Sequence, residues 1–163
     1  MPVKSILNRT DKQIIQEAVQ QELYASHLYK QVANCMQRAG YFGAQSFFAG
    51  EAGDELEHYE KHVQFMNDMG DLAELPALKE IAERPDGLEA AMRLGFDTEL
   101  ALGQQYEAWY RAAESEMTRQ HLLQFLEIQR KSIGEYGDWL ARIERAAGDE
   151  CGLLIIDKEL GGD

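Results

Sequence analysis

Gly53-Asp54-Glu55-Leu56-Glu57-His58-Tyr59-Glu60 decides how this chain folds. The stretch lies in a proline-free run from about Ala44 to Met69, where apolar residues recur about every 3.6 positions. Wound as a helix, the run puts Phe48, Ala52, Glu55, His58 or Tyr59, His62, Phe65 or Met66, and Met69 on one inward stripe. Glu55 and His58 then stand one turn apart on a face built to exclude water. A carboxylate buried there alone is costly, so something must compensate it. A Glu-x-x-His pair facing the interior of a four-helix bundle offers an oxygen and a nitrogen to iron or manganese.

The chain around this stretch has 163 residues, enough for a real core, and we expect one domain spanning 1–163. Ala, Glu, Gln and Leu abound, β-branched residues are sparse, and the three prolines are Pro2, Pro76 and Pro85. That composition predicts an all-α protein. A formal charge of -13 disfavours nucleic acid and anionic membrane as partners and suits the attraction of cations. Cys35 and Cys151 form no CxxC, which argues against a disulfide framework or a structural zinc site. Met1 to Thr10 holds no signal-like apolar core and no stretch is long enough to span a membrane, so a cytoplasmic location is expected.

Three more segments carry helical stripes. The first opens at Asn8-Arg9-Thr10-Asp11-Lys12-Gln13, with Thr10 and Gln13 spaced as a capping box, and runs to about Arg38 before Gly40. Its stripe is Ile15, Val19, Glu22, Ser26, Tyr29, Ala33 and Met36. The third helix is predicted from Asp86-Gly87-Leu88-Glu89 to about Glu114, with Leu88, Met92, Gly95, Glu99, Leu102, Tyr106, Trp109 and Ala113 inward. The fourth is predicted from an N-cap at Thr118 to about Ala147, with Leu122, Phe125, Gln129, Ser132 or Ile133, Tyr136, Trp139 or Leu140, Ile143 and Ala147 inward. Gly70 to Asp86 is an irregular linker, too long for a bundle turn, that can cross the bundle and leave helices two and three as parallel neighbours. Leu153-Leu154-Ile155-Ile156 predicts a short fifth helix, and Gly161-Gly162-Asp163 a frayed end.

Any one inward glutamate has a dull explanation at the edge of a stripe. Glu22, Glu55, His58 and Glu99 together fall near the midpoints of three helices, each on the apolar face. Three carboxylates and one imidazole suit two divalent irons, with Glu55 placed to bridge them. Asp54, Glu57 and Glu60 lie off the stripe, as outer acids that could collect iron or as a solvated face. His27, His62 and His121 read as structural or surface residues.

Gln21-Glu22-Leu23-Tyr24-Ala25-Ser26-His27-Leu28-Tyr29 resembles the first-helix signature of non-haem bacterial ferritins, and Glu51-Ala52-Gly53-Asp54-Glu55-Leu56-Glu57-His58 the second. Glu99 matches the third-helix ligand, Gln129 the fourth-helix glutamine, and Gly148 to Leu160 the closing segment. The resemblance implies a ferritin-like four-helix bundle with a long crossover between helices 2 and 3 and a short fifth C-terminal helix. It implies an iron-storage ferroxidase whose metal and catalytic residues are Glu22, Glu55, His58, Glu99 and Gln129, with Tyr29 hydrogen-bonded to the site. Two Fe(II) per subunit would be oxidised by O2 or H2O2 and stored as ferric mineral inside a homo-oligomeric shell, typically of 24 subunits. The tail helix would line the shell's four-fold channel.

Some features depart from relatives of that family. The fourth helix has no second Glu-x-x-His, with Gln129, Ser132 and Ile133 at that turn, so the second metal is expected to bind more weakly. Leu56 stands where bacterioferritins have a haem-ligating methionine, so no haem is expected. Ile128, Lys131 and Ser132 weaken any third iron position, and two cysteines cannot build a rubrerythrin site. A di-iron oxidase or peroxidase that stores no iron remains the alternative, ahead of a DNA-protecting mini-ferritin or an inert bundle.

Overall fold

Four striped segments become four long helices in the computed structural model, which describes residues 4–162. They are α1 (Arg9–Ala39), α2 (Phe42–Asp68), α3 (Leu88–Ala112) and α4 (Glu116–Ala146), followed by α5 (Glu150–Leu160). Almost every predicted stripe residue is buried; Ser132, Ile133, Trp139, Tyr59 and Phe65 lie half-buried at the stripe edges, and Ala147 is exposed because it caps the end of α4 in a left-handed conformation. The helix signals were thus strong, and the differences lie at the ends. Asn8, not Thr10, caps α1, its side chain accepting from the Asp11 N–H at 2.8 Å. Ser115, not Thr118, caps α4, because Thr118 is drawn inside to donate to Asp11 at 2.8 Å. Gly87 opens α3 without a side-chain cap.

Two buried aspartates cap helices from a distance. Asp11 on α1 accepts from the backbone N–H groups of Glu114 and Ser115, at 2.8 and 2.9 Å, and so closes the turn into α4. Burial raises its pKa, but these hydrogen bonds outweigh burial and hold it below the usual carboxylate value. Asp157 on α5 accepts from the N–H groups of Gly43 and Ala44, at 3.1 and 2.7 Å. It supplies the cap that Tyr41 cannot give α2. A side chain at position 43 would put its Cβ 1.6 Å from the Asp157 carbonyl oxygen, so only Gly43 lets α5 dock. Gly161 and Gly162 return N–H bonds to Asp157, Lys158 and Glu159 rather than fraying. Asp163, like Met1 to Val3 of the N-terminal segment, lies outside the described residues.

α2 packs on α1 and α3 on α4, with α1 beside α3. The linker runs the length of the bundle against α1. Asp71 pairs with Lys12 at 2.8 Å, Glu74 exchanges hydrogen bonds with Gln16, and Asp86 arrives beside Leu88 at the other end. The crossover is therefore as expected and gives α2 and α3 the same direction. The two are not packing neighbours, however, because α3 settles against α4 and α1. Among the described residues, no helix is long and apolar enough to cross a membrane.

Candidate metal centre

Two apolar clusters fill the bundle. One gathers Tyr29, Met36, Phe48 and Tyr136 beneath α5; the other gathers Ile15, Met66, Tyr106 and Phe125 at the opposite end. On every long helix the gap between the clusters is filled by polar groups: Glu22 and Ser26, Glu55 and His58, Glu99, and Gln129, all buried. This polar waist is the candidate site.

Glu22, Glu55 and His58 converge. One ligand atom from each lies within 4.8 Å of the others. His58 Nδ1 is 3.1 Å from Glu55 Oε2 and 3.7 Å from Glu22 Oε2. Glu99 stands to one side, where Tyr29 donates to its Oε1 and Gln129 Nε2 donates to its Oε2 at 2.8 Å. The predicted residues thus form a close trio, plus a Glu99–Gln129–Tyr29 group beside it. Glu22 Oε2 and Gln129 Oε1 are buried with no hydrogen-bond partner. Both are acceptors, so their lone pairs call for a cation or a proton.

The charge balance points the same way. Burial first, then Glu22, pushes the Glu55 carboxyl well above its ordinary value. Burial also raises Glu22, but Glu55, His58 and the Tyr106 hydroxyl outweigh it and hold Glu22 low. The metal-free waist therefore favours one proton held between Glu55 and Glu22, as carboxylates this close cannot both ionise cheaply. Burial raises Glu99 as well, only partly offset by Tyr29 and Gln129.

Three participants escaped the sequence reading as parts of the site. Tyr106 donates to Glu22 Oε1, mirroring the bond from Tyr29 to Glu99. It sits two turns after Glu99, as Tyr29 sits two turns after Glu22, and that repeated spacing was available as a signal. His62 is wholly buried, 3.9 Å from Glu22 Oε1 and 2.7 Å from the Tyr106 hydroxyl. Glu51 receives the Tyr136 hydroxyl at 3.1 Å, and burial, with Glu99 next, raises it to about 7. Tyr136 fits only because Gly95 is bare: a Cβ there would stand 2.2 Å from its ring. Asp54, Glu57, Glu60 and His27 are exposed and point to no part of the waist.

A family profile described as "Ferritin-like domain" matches residues 12–146, which include the waist residues of all four long helices. The chain belongs to the ferritin-like domain family. Among related sequences, "Soma ferritin" of Lymnaea stagnalis is 31% identical over 157 residues, covering 89% of this chain and 87% of that protein. "Ferritin" of Pacifastacus leniusculus is 28% identical, covering 92% and 87%. A "Probable bacterial non-heme ferritin-like protein" of Haemophilus influenzae is 23% identical, with 96% of each chain covered. The fold superposes on an open pore ferritin from the archaeon Archaeoglobus fulgidus with a TM-score of 0.91 at 21% identity, covering 95% of this chain and 96% of that one. This ferritin-like chain is thus a member of an iron-storage family, and its waist holds a Glu-Glu-His group able to bind metal.

Proposed function

We propose that the waist is a ferroxidase centre that takes up two Fe(II) ions as substrate and passes Fe(III) on for storage. The observation that carries this is the buried trio of Glu22, Glu55 and His58, with an orphaned Glu22 oxygen at its centre. In the first position Glu22, Glu55 and His58 bind Fe(II), and the proton held between the two carboxyls leaves as the ion enters. In the second, Glu55 and Glu99 supply oxygens, with Gln129 beside them. Gln129 and Ser132 are weaker donors than the Glu and His of a full second set, so the second ion binds more loosely. Tyr29 and Tyr106 orient Glu99 and Glu22. Two Fe(II) side by side deliver the two electrons that convert O2 to H2O2 without freeing superoxide.

Storage needs a shell, and the surface supports assembly of copies. Leu72, Leu75 and Leu78 on the crossover are 69%, 72% and 63% exposed. On α5, Ile156 and Leu160 enter the core while Leu154 and Ile155 remain outside. Isolated subunits would leave these apolar rows in water. We infer a homo-oligomer, of 24 subunits by analogy with the family, working in the cytoplasm. Aerobic Fe(II) addition tests the proposal, with ferric absorbance and native mass recorded on one sample. Fast oxidation by a large assembly is expected. Oxidation no faster than that of a Glu22→Ala/Glu55→Ala variant defeats the catalytic assignment, and a monomer that oxidises iron defeats storage.

A further inference from the structure

A buried chain of polar groups leads away from the waist. Tyr106 donates its hydroxyl hydrogen to Glu22 Oε1. The Tyr106 oxygen lies 2.7 Å from His62 Nε2. On the far side of that ring, Nδ1 lies 2.8 Å from His121 Nε2. His121 Nδ1 lies 3.4 Å from the side-chain nitrogen of Gln124, which is exposed. Three helices contribute: α3, α2 and α4.

Hydrogen-bond chemistry fixes the direction of every link. A phenol that gives its only hydrogen to a carboxylate can act toward other groups only as an acceptor. His62 Nε2 must therefore carry a hydrogen, which leaves Nδ1 as the acceptor of a neutral ring. His121 then donates from its own Nε2, and its Nδ1 accepts from the Gln124 amide. All the hydrogens point toward Glu22. Burial keeps both rings neutral, drawing His62 down to about 3 and His121 to about 4. Neutrality matters, because a neutral imidazole donates and accepts at once, whereas an imidazolium only donates. The rings are also clamped: His121 stacks on Phe65 at 4.1 Å, and His62 lies 4.2 Å from Phe125.

We propose that His121, His62 and Tyr106 form a proton path that carries protons from the surface at Gln124 to Glu22. A proton taken up at His121 Nδ1 releases the one on Nε2 to His62 Nδ1. His62 releases its Nε2 proton to the Tyr106 oxygen, and Tyr106 hands its own to Glu22. One proton enters and one arrives, and none of the three relay groups changes charge. The path rests on the reading that O2 is reduced in the waist. With two electrons from two Fe(II), O2 needs two protons to become H2O2, so one O2 takes two passes of the relay, each ending with Glu22 giving its proton on and the two rings returning to their starting tautomers.

The test begins without metal. In protein labelled with 15N-histidine, solid-state NMR should find His62 and His121 neutral with hydrogen on Nε2, and the His62 N–H exchanging rapidly with solvent despite its burial. A hydrogen on His62 Nδ1 overturns the path. His121→Phe keeps the stack on Phe65 but removes both nitrogens. In it the exchange of His62 should slow about tenfold or more, as expected when a buried group loses its route to solvent. H2O2 formation on Fe(II) addition should slow by about the same factor, within the range of general acid catalysis, while Co(II) affinity is kept. Wild-type exchange and wild-type H2O2 formation in this variant overturn the path. If the variant does not fold, the tautomers and exchange in the unaltered protein still decide. A wild-type protein that binds no Co(II) and oxidises no Fe(II) instead defeats the ferroxidase reading, and leaves the exchange result standing on its own.

Discussion

The α1/α3 half of the waist and the α2/α4 half are built on different plans. On α1 and α3 the pattern is the same: Glu22 then Tyr29, Glu99 then Tyr106, two turns apart. The helices run antiparallel, so each tyrosine reaches the other helix's glutamate and the bonds are reciprocal. α2 and α4 break that symmetry. α2 offers Glu55, His58 and His62, whereas α4 offers Gln129, Ser132 and Tyr136 at the matching turns. The symmetric half fixes the geometry of two carboxylates. In the proposed centre the asymmetric half sets how strongly each of the two positions would hold a cation, and α2 and α4 carry the histidine pair that leads toward the surface.

Breaking the strong side should have the largest effect. Glu55→Gln removes the carboxylate shared by both proposed positions. Cation affinity measured calorimetrically should fall by about 100-fold or more, since outer-shell changes alone move it by about 10–100-fold. The metal-free fold should hardly suffer, because burial and the neighbouring Glu22 already disfavour the charged form of Glu55 there. Repairing the weak side comes next. Gln129→Glu with Ser132→His gives α4 its own Glu-x-x-His, and a titration should show the second ion binding about tenfold tighter or more. An unchanged second step would mean that α4 does not face the second ion.

The symmetric half can be tested by thermal melting. Tyr29→Phe removes one hydrogen bond to a carboxylate, worth about 1.5–3 kcal/mol. Tyr106→Phe should cost about 1 kcal/mol more, because it also strands the His62 Nε2–H that the Tyr106 oxygen accepts. Equal losses would mean that His62 is satisfied elsewhere. The smallest effect concerns Glu51, whose folded value of about 7 exceeds its unfolded 4.5. Between those values the native state holds the extra proton, so wild-type stability falls as pH rises through this window and is flat above it. Glu51→Gln removes that loss. At about pH 8 it should be more stable by about 1–2 kcal/mol after allowance for partial exposure, and at about pH 4.5 indistinguishable from wild type.

Much of this was legible beforehand because burial imprints a periodic pattern on each helix separately. Glu22, Glu55, His58, Glu99 and Gln129 sit on apolar stripes and are buried. The helix ends were less legible. Thr10 and Thr118 have the spacing of caps, but Asp11 captures Thr118 and Asn8 closes α1. His62 and His121 looked unrelated, since nothing in their spacing reveals that α2 and α4 bring their rings within 2.8 Å.

The sequence by itself determined the four long helices, the faces they bury and the acids those faces carry, because helical periodicity and the cost of burying charge act within each segment. Only the tertiary structure decided which helix lies beside which. From that adjacency come the crossed tyrosine–glutamate bonds, the Asp11 and Asp157 caps and the histidine pair, for a hydrogen bond about 3 Å long depends on where two backbones meet in space.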